Sequence, residues 1–188
     1  MKKHIEKLNG LHVCEKAVEW AKNYDTIEEV VKNCHRGDWL LRLARKLNVN
    51  LRKLTLAKGY CANTVRHLMT NERSREAVDV SIKFGRFEAS RDKLEAAADA
   101  AADVVNTYSY SAAYSDTAYS AAYSAAAAAA ADDDYAVASA SAYAVAAEVY
   151  EAAAAAYVTS PAANQLQTSD ICRKYIGNEI IEKFNKLK

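Results

Sequence analysis

Apolar residues recur at helical spacing along the first half of the chain. Val13, Ala17, Trp20 and Ala21 follow the i, i+4, i+7, i+8 pattern of one helix face, which predicts a helix from Val13 to Asn23. A capping box follows, because the Thr26 hydroxyl can accept from the Glu29 amide while the Glu29 carboxylate reaches back. We therefore expect a second helix from Ile27 to about His35.

Three further amphipathic segments follow, each with its own start or stop signal. Gly37 suits the C-terminal turn of the second helix. Apolar residues at helical spacing from Leu40 to Leu47 predict a third helix. A fourth helix is predicted over Leu51–Met69, and a fifth ends at Gly85. The predicted N-capping residues of these three helices are Asp38, Asn50 and either Asn71 or Ser74.

The second half has a different pattern, dominated by alanine and tyrosine. Between positions 96 and 160, 30 of 65 residues are alanine and 9 are tyrosine, with neither glycine nor proline. Alanine is the strongest helix former, and the regular tyrosine spacing is unlike a disordered linker. We expect a tight helical hairpin whose alanine faces pack together, with its corner at Asp132, Asp133 and Asp134. A last helix, from Asn164 to about Leu187, should return to the first half, with a bend or break at Gly177.

These segments predict an all-α fold in one domain. Its parts are a short-helix half (1–91), an Ala-rich helical hairpin (92–160) and a C-terminal helix (161–188). Only 5 glycines and 1 proline occur in 188 residues, which disfavours β-sandwiches and barrels.

Charge is distributed unevenly although the net charge is only +1. Residues 1–91 hold 19 Lys/Arg against 11 Asp/Glu (+8), and residues 96–160 hold 8 acidic and no basic residues (−8). The cations of the first half alternate with acids and lack a dense basic run with aromatics, so direct nucleic-acid binding is not expected. Four scattered cysteines, no apolar leader and no membrane-spanning stretch lead us to expect a cytoplasmic location, in a bacterial or phage-infected cell.

Candidate chemistry is sparse. Cys34, His35 and Asp38 include the residue types of a nucleophile, a base and an orienting group, but neighbours on a helix diverge by about 100° per residue. We therefore expect no catalytic site. The histidines and cysteines lack metal-ligand spacing, so neither a metal nor a cofactor is expected. An anion site is the alternative that remains open, formed from Arg36, Arg66, His67, Arg73 and Arg75.

Four strings carry a family resemblance. They are CHRGDWLL at positions 34–41, LTLAKGYCANTVRHLMTNERSREAVD at 54–79, FG at 84–85 and DICRKYIG at 170–177. Together they resemble the immunity-protein family of polymorphic toxin systems, which is also met in phages and prophages. The resemblance covers about two thirds of the chain. It implies an all-α protein with a variable Ala/Tyr/Asp-rich stretch that acts as an inhibitor or as a counter-defence protein.

The resemblance and the residue pattern together predict a non-enzymatic protein that binds and inhibits a partner protein. The partner would be a toxin or a host defence component with a basic surface, and the chain could also form a homo-oligomer. The alternative is a small-molecule or nucleotide-signal binding protein (a sponge) that uses the arginine group above. The predicted partner-binding residues are Tyr114, Tyr119, Tyr123, Asp132, Asp133 and Asp134.

Overall fold

The computed structural model describes residues 2–109 and 161–187, and within these two ranges it contains helices and no β-strand. This confirms the all-α prediction. The helices are α1 (Lys3–Gly10), α2 (Glu15–Ala21), α3 (Ile27–Asn33), α4 (Gly37–Lys46), α5 (Leu51–Asn63), α6 (Glu72–Gly85), α7 (Arg91–Ser109), α8 (Pro161–Cys172) and α9 (Asn178–Asn185). A 3₁₀ turn (Arg66–Leu68) lies between α5 and α6, and a π-helical turn (Arg173–Gly177) joins α8 to α9.

The side chains of Thr26, Asn50 and Asn71 each accept a hydrogen bond from a backbone amide in the first turn of a helix. Thr26 Oγ1 accepts from the Glu29 amide at 3.2 Å, but Glu29 Oε2 accepts from the Asp25 amide at 2.8 Å, one residue earlier than a capping box requires. Asn50 Oδ1 accepts from the amide of Arg52 at 3.0 Å, as predicted. Of the two candidates for α6, Asn71 is the cap, because its Oδ1 accepts from the Arg73 amide at 2.9 Å.

Two predicted features were wrong, and one helix was not predicted. Asp38 does not cap α4, since the helix begins at Gly37 and Arg36 occupies the N-cap position without a side-chain bond. α5 ends at Asn63 rather than at Met69, and the Thr64 hydroxyl donates to the Cys61 carbonyl at 2.7 Å where the helix stops. The pattern also gave no helix over α1, which lacks a side-chain N-cap and is only eight residues long.

The core joins the first half to the C-terminal helices. α5 packs on α6 and α6 on α7, while α8 packs on α4 and α5 and α9 packs on α3 and α4. Residues from α8, the π turn and α9 that are buried in the common core are Cys172, Ile176, Ile180 and Phe184. The predicted interruption at Gly177 is present as the end of the π turn.

α7 is the described part of the Ala-rich half. It places Leu94, Ala97, Ala101 and Val104 in buried positions at helical spacing, and it packs on α6. The second helix of the predicted hairpin and its corner lie outside the described residues.

Candidate functional site

An aromatic cluster lies where α2, the α3–α4 link and α4 meet. We use this name for Trp20, Tyr24, His35 and Trp39 together with Arg36. Ring centroids are 4.8 Å apart for Trp20 and Tyr24, 5.5 Å for Trp20 and His35, and 5.8 Å for Trp20 and Trp39. All five residues are half-buried, so each is packed on its neighbours and also reaches solvent.

The guanidinium of Arg36 is held in a fixed orientation within this cluster. Its Nε and Nη2 donate to the two carboxylate oxygens of Asp38 at 2.9 and 2.8 Å, and its Cζ lies 4.8 Å from the centroid of the Trp39 ring. The hydrogen bonds with Asp38 raise the pKa of Arg36 further above its usual value. Asp38 thus orients a cation instead of capping α4, and a bidentate pair of this kind gives geometric precision.

Close packing against α8 fixes the segment that carries these side chains. A Cβ on Gly37 would lie 2.6 Å from Thr168 Oγ1 and 2.8 Å from the Thr168 backbone carbon. The Cys34 carbonyl accepts from the Ser169 hydroxyl and from the Arg173 guanidinium. Only a residue without a side chain fits at Gly37. The link between α3 and α4 is therefore held against α8 and the π turn.

Three buried thiols lie beneath the aromatic cluster. The Sγ atoms of Cys61 and Cys172 are 3.9 Å apart, and both residues are fully buried. Cys172 Sγ donates to the Gly37 carbonyl at 3.6 Å and Cys34 Sγ donates to the Arg36 carbonyl at 3.3 Å. Cys34 and Cys172 therefore support the backbone at the start of α4, and Cys61 packs against Cys172.

The structure does not bring Cys34, His35 and Asp38 together as a catalytic relay. Burial raises the pKa of the Cys34 thiol to about 11, so it is protonated at neutral pH. The Asp38 carboxylate is bonded to Arg36, and the His35 ring packs edge-on against both Trp20 and Trp39. The three side chains take part in three separate interactions.

Alkaline pH should destabilise the protein through Cys34. In the unfolded chain the thiol ionises near 9.0, but in the folded protein it stays protonated until about 11, so the unfolded state releases its proton first. The contribution is complete below pH 9 and is lost as the pH rises to about 11, on the order of 2–3 kcal/mol. Urea denaturation of the wild type and of Cys34→Ala at pH 8 and pH 10.5 measures it. The variant should lose less stability between the two pH values, and an equal loss in both proteins would contradict the expectation.

The predicted anion site is spread over two places in the fold. Arg66 donates to the Arg75 carbonyl at 2.9 Å and to Asp79 at 3.0 Å, and Arg75 donates to the Met69 carbonyl at 3.0 Å and to Glu72 at 3.3 Å. These two guanidinium groups thus hold the α5–α6 connection together. The side chains of His67 and Arg73 are exposed, whereas Arg36 belongs to the aromatic cluster. Binding of a nucleotide by these five residues stays a prediction.

The predicted partner-binding residues from Tyr114 to Asp134 lie outside the described residues, so that surface also stays a prediction. Trp20, Tyr24 and Trp39 were not among the predicted site residues. Trp20 fitted the apolar face of a helix equally well, and nothing in the sequence indicates that α2 and α4 place the two tryptophans side by side.

Within residues 2–109 and 161–187, no group of three or more His, Cys, Asp or Glu side chains is arranged to hold a metal ion. No described helix is both long enough and apolar enough to cross a membrane. No family model, curated protein or solved structure matches this chain.

Proposed function

We infer that the chain is a non-enzymatic binding protein that inhibits a partner protein, either as an immunity protein against a toxin or as a phage or prophage counter-defence inhibitor. The observation that carries this proposal is the half-buried aromatic cluster with its oriented arginine. Three of its five residues, His35, Arg36 and Trp39, come from CHRGDW, which begins the first of the strings that resemble the immunity-protein family.

The composition of the cluster suits protein recognition. Tryptophan, tyrosine and arginine are the residue types that dominate binding energy at protein interfaces, where a few central side chains contribute most of it. Arg36 loses little side-chain entropy on binding, because Asp38 and Trp39 already hold its guanidinium. The cluster is also anchored from below through Gly37 and the buried thiols. A partner would therefore meet a preorganised surface.

The acidic, tyrosine-rich segment remains a second candidate for the partner surface. Its negative charge would favour a basic partner and speed the encounter with it. Substitutions in the aromatic cluster and in the acidic segment can show which of the two surfaces binds the partner.

Trp39→Ala and Arg36→Ala should each weaken the complex with the partner by about tenfold or more, as expected when a central interface residue is truncated. The partner is first isolated by affinity capture from cells or infected cultures of the source. Calorimetry then gives its affinity for the wild type and for each variant, with circular dichroism and thermal melting to establish that each variant is folded.

Phe87→Asn is the matched control for loss of an aromatic ring, because Phe87 is exposed and belongs to another part of the surface. It should leave the affinity unchanged. The triple variant Tyr114→Ala, Tyr119→Ala, Tyr123→Ala tests the second candidate. If the triple variant alone abolishes binding, the aromatic cluster is not the partner surface.

A further inference from the structure

A second group of rings and cations lies on the side of the molecule formed by α5, the end of α6 and the π turn. We name it the cation–aromatic surface, and its members are Arg52, Tyr60, Arg86, Phe87, Lys174 and Tyr175. Along α5, Arg52 and Tyr60 are eight residues apart and so lie on one face, about 12 Å from each other.

Contacts join these side chains into two groups, which meet where Phe87 follows Arg86 in the chain. The rings of Tyr60 and Tyr175 stack with centroids 4.8 Å apart and planes within 3° of parallel. Arg86 donates to the Tyr60 hydroxyl, and its Cζ lies 5.7 Å from the centroid of that ring. The Cζ of Arg52 lies 4.5 Å from the centroid of Phe87, the residue after Arg86.

The cations of this surface interact with rings rather than with carboxylates. In the two described ranges, Arg52, Arg86 and Lys174 form no ion pair, whereas neighbouring Lys53 is bonded to Glu179 at 3.0 Å. Burial and the Tyr60 hydroxyl raise the pKa of Tyr175, so this phenol adds no negative charge at neutral pH. The surface therefore has three cations that form no ion pair with a described acidic side chain.

Phe87 has a backbone conformation that is unfavourable for a phenylalanine. Its φ is 65°, in the left-handed region, and it follows the C-cap residue of α6, a position where glycine is usual. The residue is nevertheless phenylalanine, and it is 78% exposed. Arg52 covers one face of the ring, which leaves the other face open to solvent. A strained, exposed aromatic residue of this kind indicates a role in binding.

We propose that the cation–aromatic surface binds single-stranded nucleic acid. Cations without an ion pair beside an exposed ring suit a single strand, because the cations attract phosphates and the open face of Phe87 can stack on a base. An acidic polypeptide without ring or apolar side chains, such as poly-glutamate, would use the cations but would gain nothing from the open face of Phe87. The sequence indicated no such surface, because its members are separated by up to 123 positions and only the packing of α5, α6 and the π turn brings them together. This surface is separate from the aromatic cluster and does not depend on the proposed inhibitor function.

Fluorescence anisotropy with 5′-labelled 12-mers of oligouridylate and oligodeoxythymidylate tests the proposal on the full chain. Binding of either oligomer supports it, and the tighter of the two identifies the natural backbone. With three cations engaged, the logarithm of the association constant should fall against the logarithm of salt concentration with a slope of about −2. Phe87→Asn should weaken binding by about fivefold to a hundredfold, which is the usual effect of losing one base-stacking ring. Arg86→Ala should weaken binding and reduce the slope by about 0.7.

Control variants show whether weaker binding comes from unfolding or from the loss of any exposed arginine or apolar side chain. Asparagine tolerates a positive φ, so Phe87→Asn should melt at the same temperature as the wild type or higher. Arg73→Ala removes an exposed arginine at the other end of α6, and Leu166→Ala removes the other large exposed apolar side chain of the described residues. Both should bind like the wild type. The proposal is overturned if neither oligomer binds at 100 µM (roughly the upper limit for non-specific binding), if Phe87→Asn binds normally, or if poly-glutamate competes as well as an unlabelled oligomer.

Discussion

Phe184→Ala should lower the free energy of unfolding by about 3–5 kcal/mol, the usual cost of removing a buried phenylalanine. Phe184 is 1% exposed and lies in the core that α9 forms with the first half of the chain. Two polar contacts hold α9 in the same place, since Asn185 donates to Glu28 at 2.8 Å and Glu179 accepts from the Asn50 amide at 2.7 Å. These contacts limit how far the helix can move to fill the cavity, so the cost should be near the upper end of the range.

Chemical denaturation of the variant beside Leu166→Ala measures this effect. Leu166 is 50% exposed, and its replacement should change stability by no more than about 0.5 kcal/mol. A loss below about 1 kcal/mol for Phe184→Ala would mean that the C-terminal helix does not complete the core.

The second large effect is expected at Gly85, where α6 crosses α5. A Cβ there would lie 2.4 Å from the Leu56 Cβ and 2.9 Å from the Arg52 carbonyl oxygen, so the two helices would have to separate. Gly85→Ala should therefore destabilise the protein by about 2–4 kcal/mol, although alanine favours a helix more than glycine does. The separation would also displace Arg52 and Phe87 on the cation–aromatic surface.

Gly10→Ala is the control for Gly85→Ala. Gly10 is likewise the last residue of a helix, but a Cβ there would meet nothing within 4 Å. Thermal melting should show equal or slightly higher stability for Gly10→Ala and a clear loss for Gly85→Ala. If both variants were as stable as the wild type, α5 and α6 could not be in the close contact described here.

The sequence predicted the helices where apolar spacing and a capping residue agree. The Thr26 and Asn50 caps are local interactions, so α3 and α5 begin where expected. Gly37 and Gly85 were interpreted as turn residues for the same local reason. In the structure, glycine is needed at these positions because Gly37 packs closely on α8 and Gly85 packs closely on α5. The residues they contact, Thr168 and Leu56, are 131 and 29 positions away in the sequence.

The candidate surfaces were less predictable than the fold. The aromatic cluster needs α2 and α4 to meet, and the stack of Tyr60 on Tyr175 needs α5 to meet the π turn. Neither contact follows from periodicity, because the same tryptophan or tyrosine would fit a buried helix face. The partner of Asp38 could not be predicted from the sequence either. Its position before a helix suggested a cap, but in three dimensions its partner is the guanidinium of Arg36.

A titration of partner activity tests the central proposal, inhibition by stoichiometric binding, most directly. The captured partner is held at a concentration well above the dissociation constant while the chain is added in steps. We predict that activity falls linearly and reaches its minimum at one equivalent of wild-type chain. In a second titration, with the partner near the wild-type dissociation constant, Trp39→Ala should shift the curve to higher concentrations. Inactivation of many partner molecules by one molecule of the chain, or full partner activity in an established complex, would contradict the proposal.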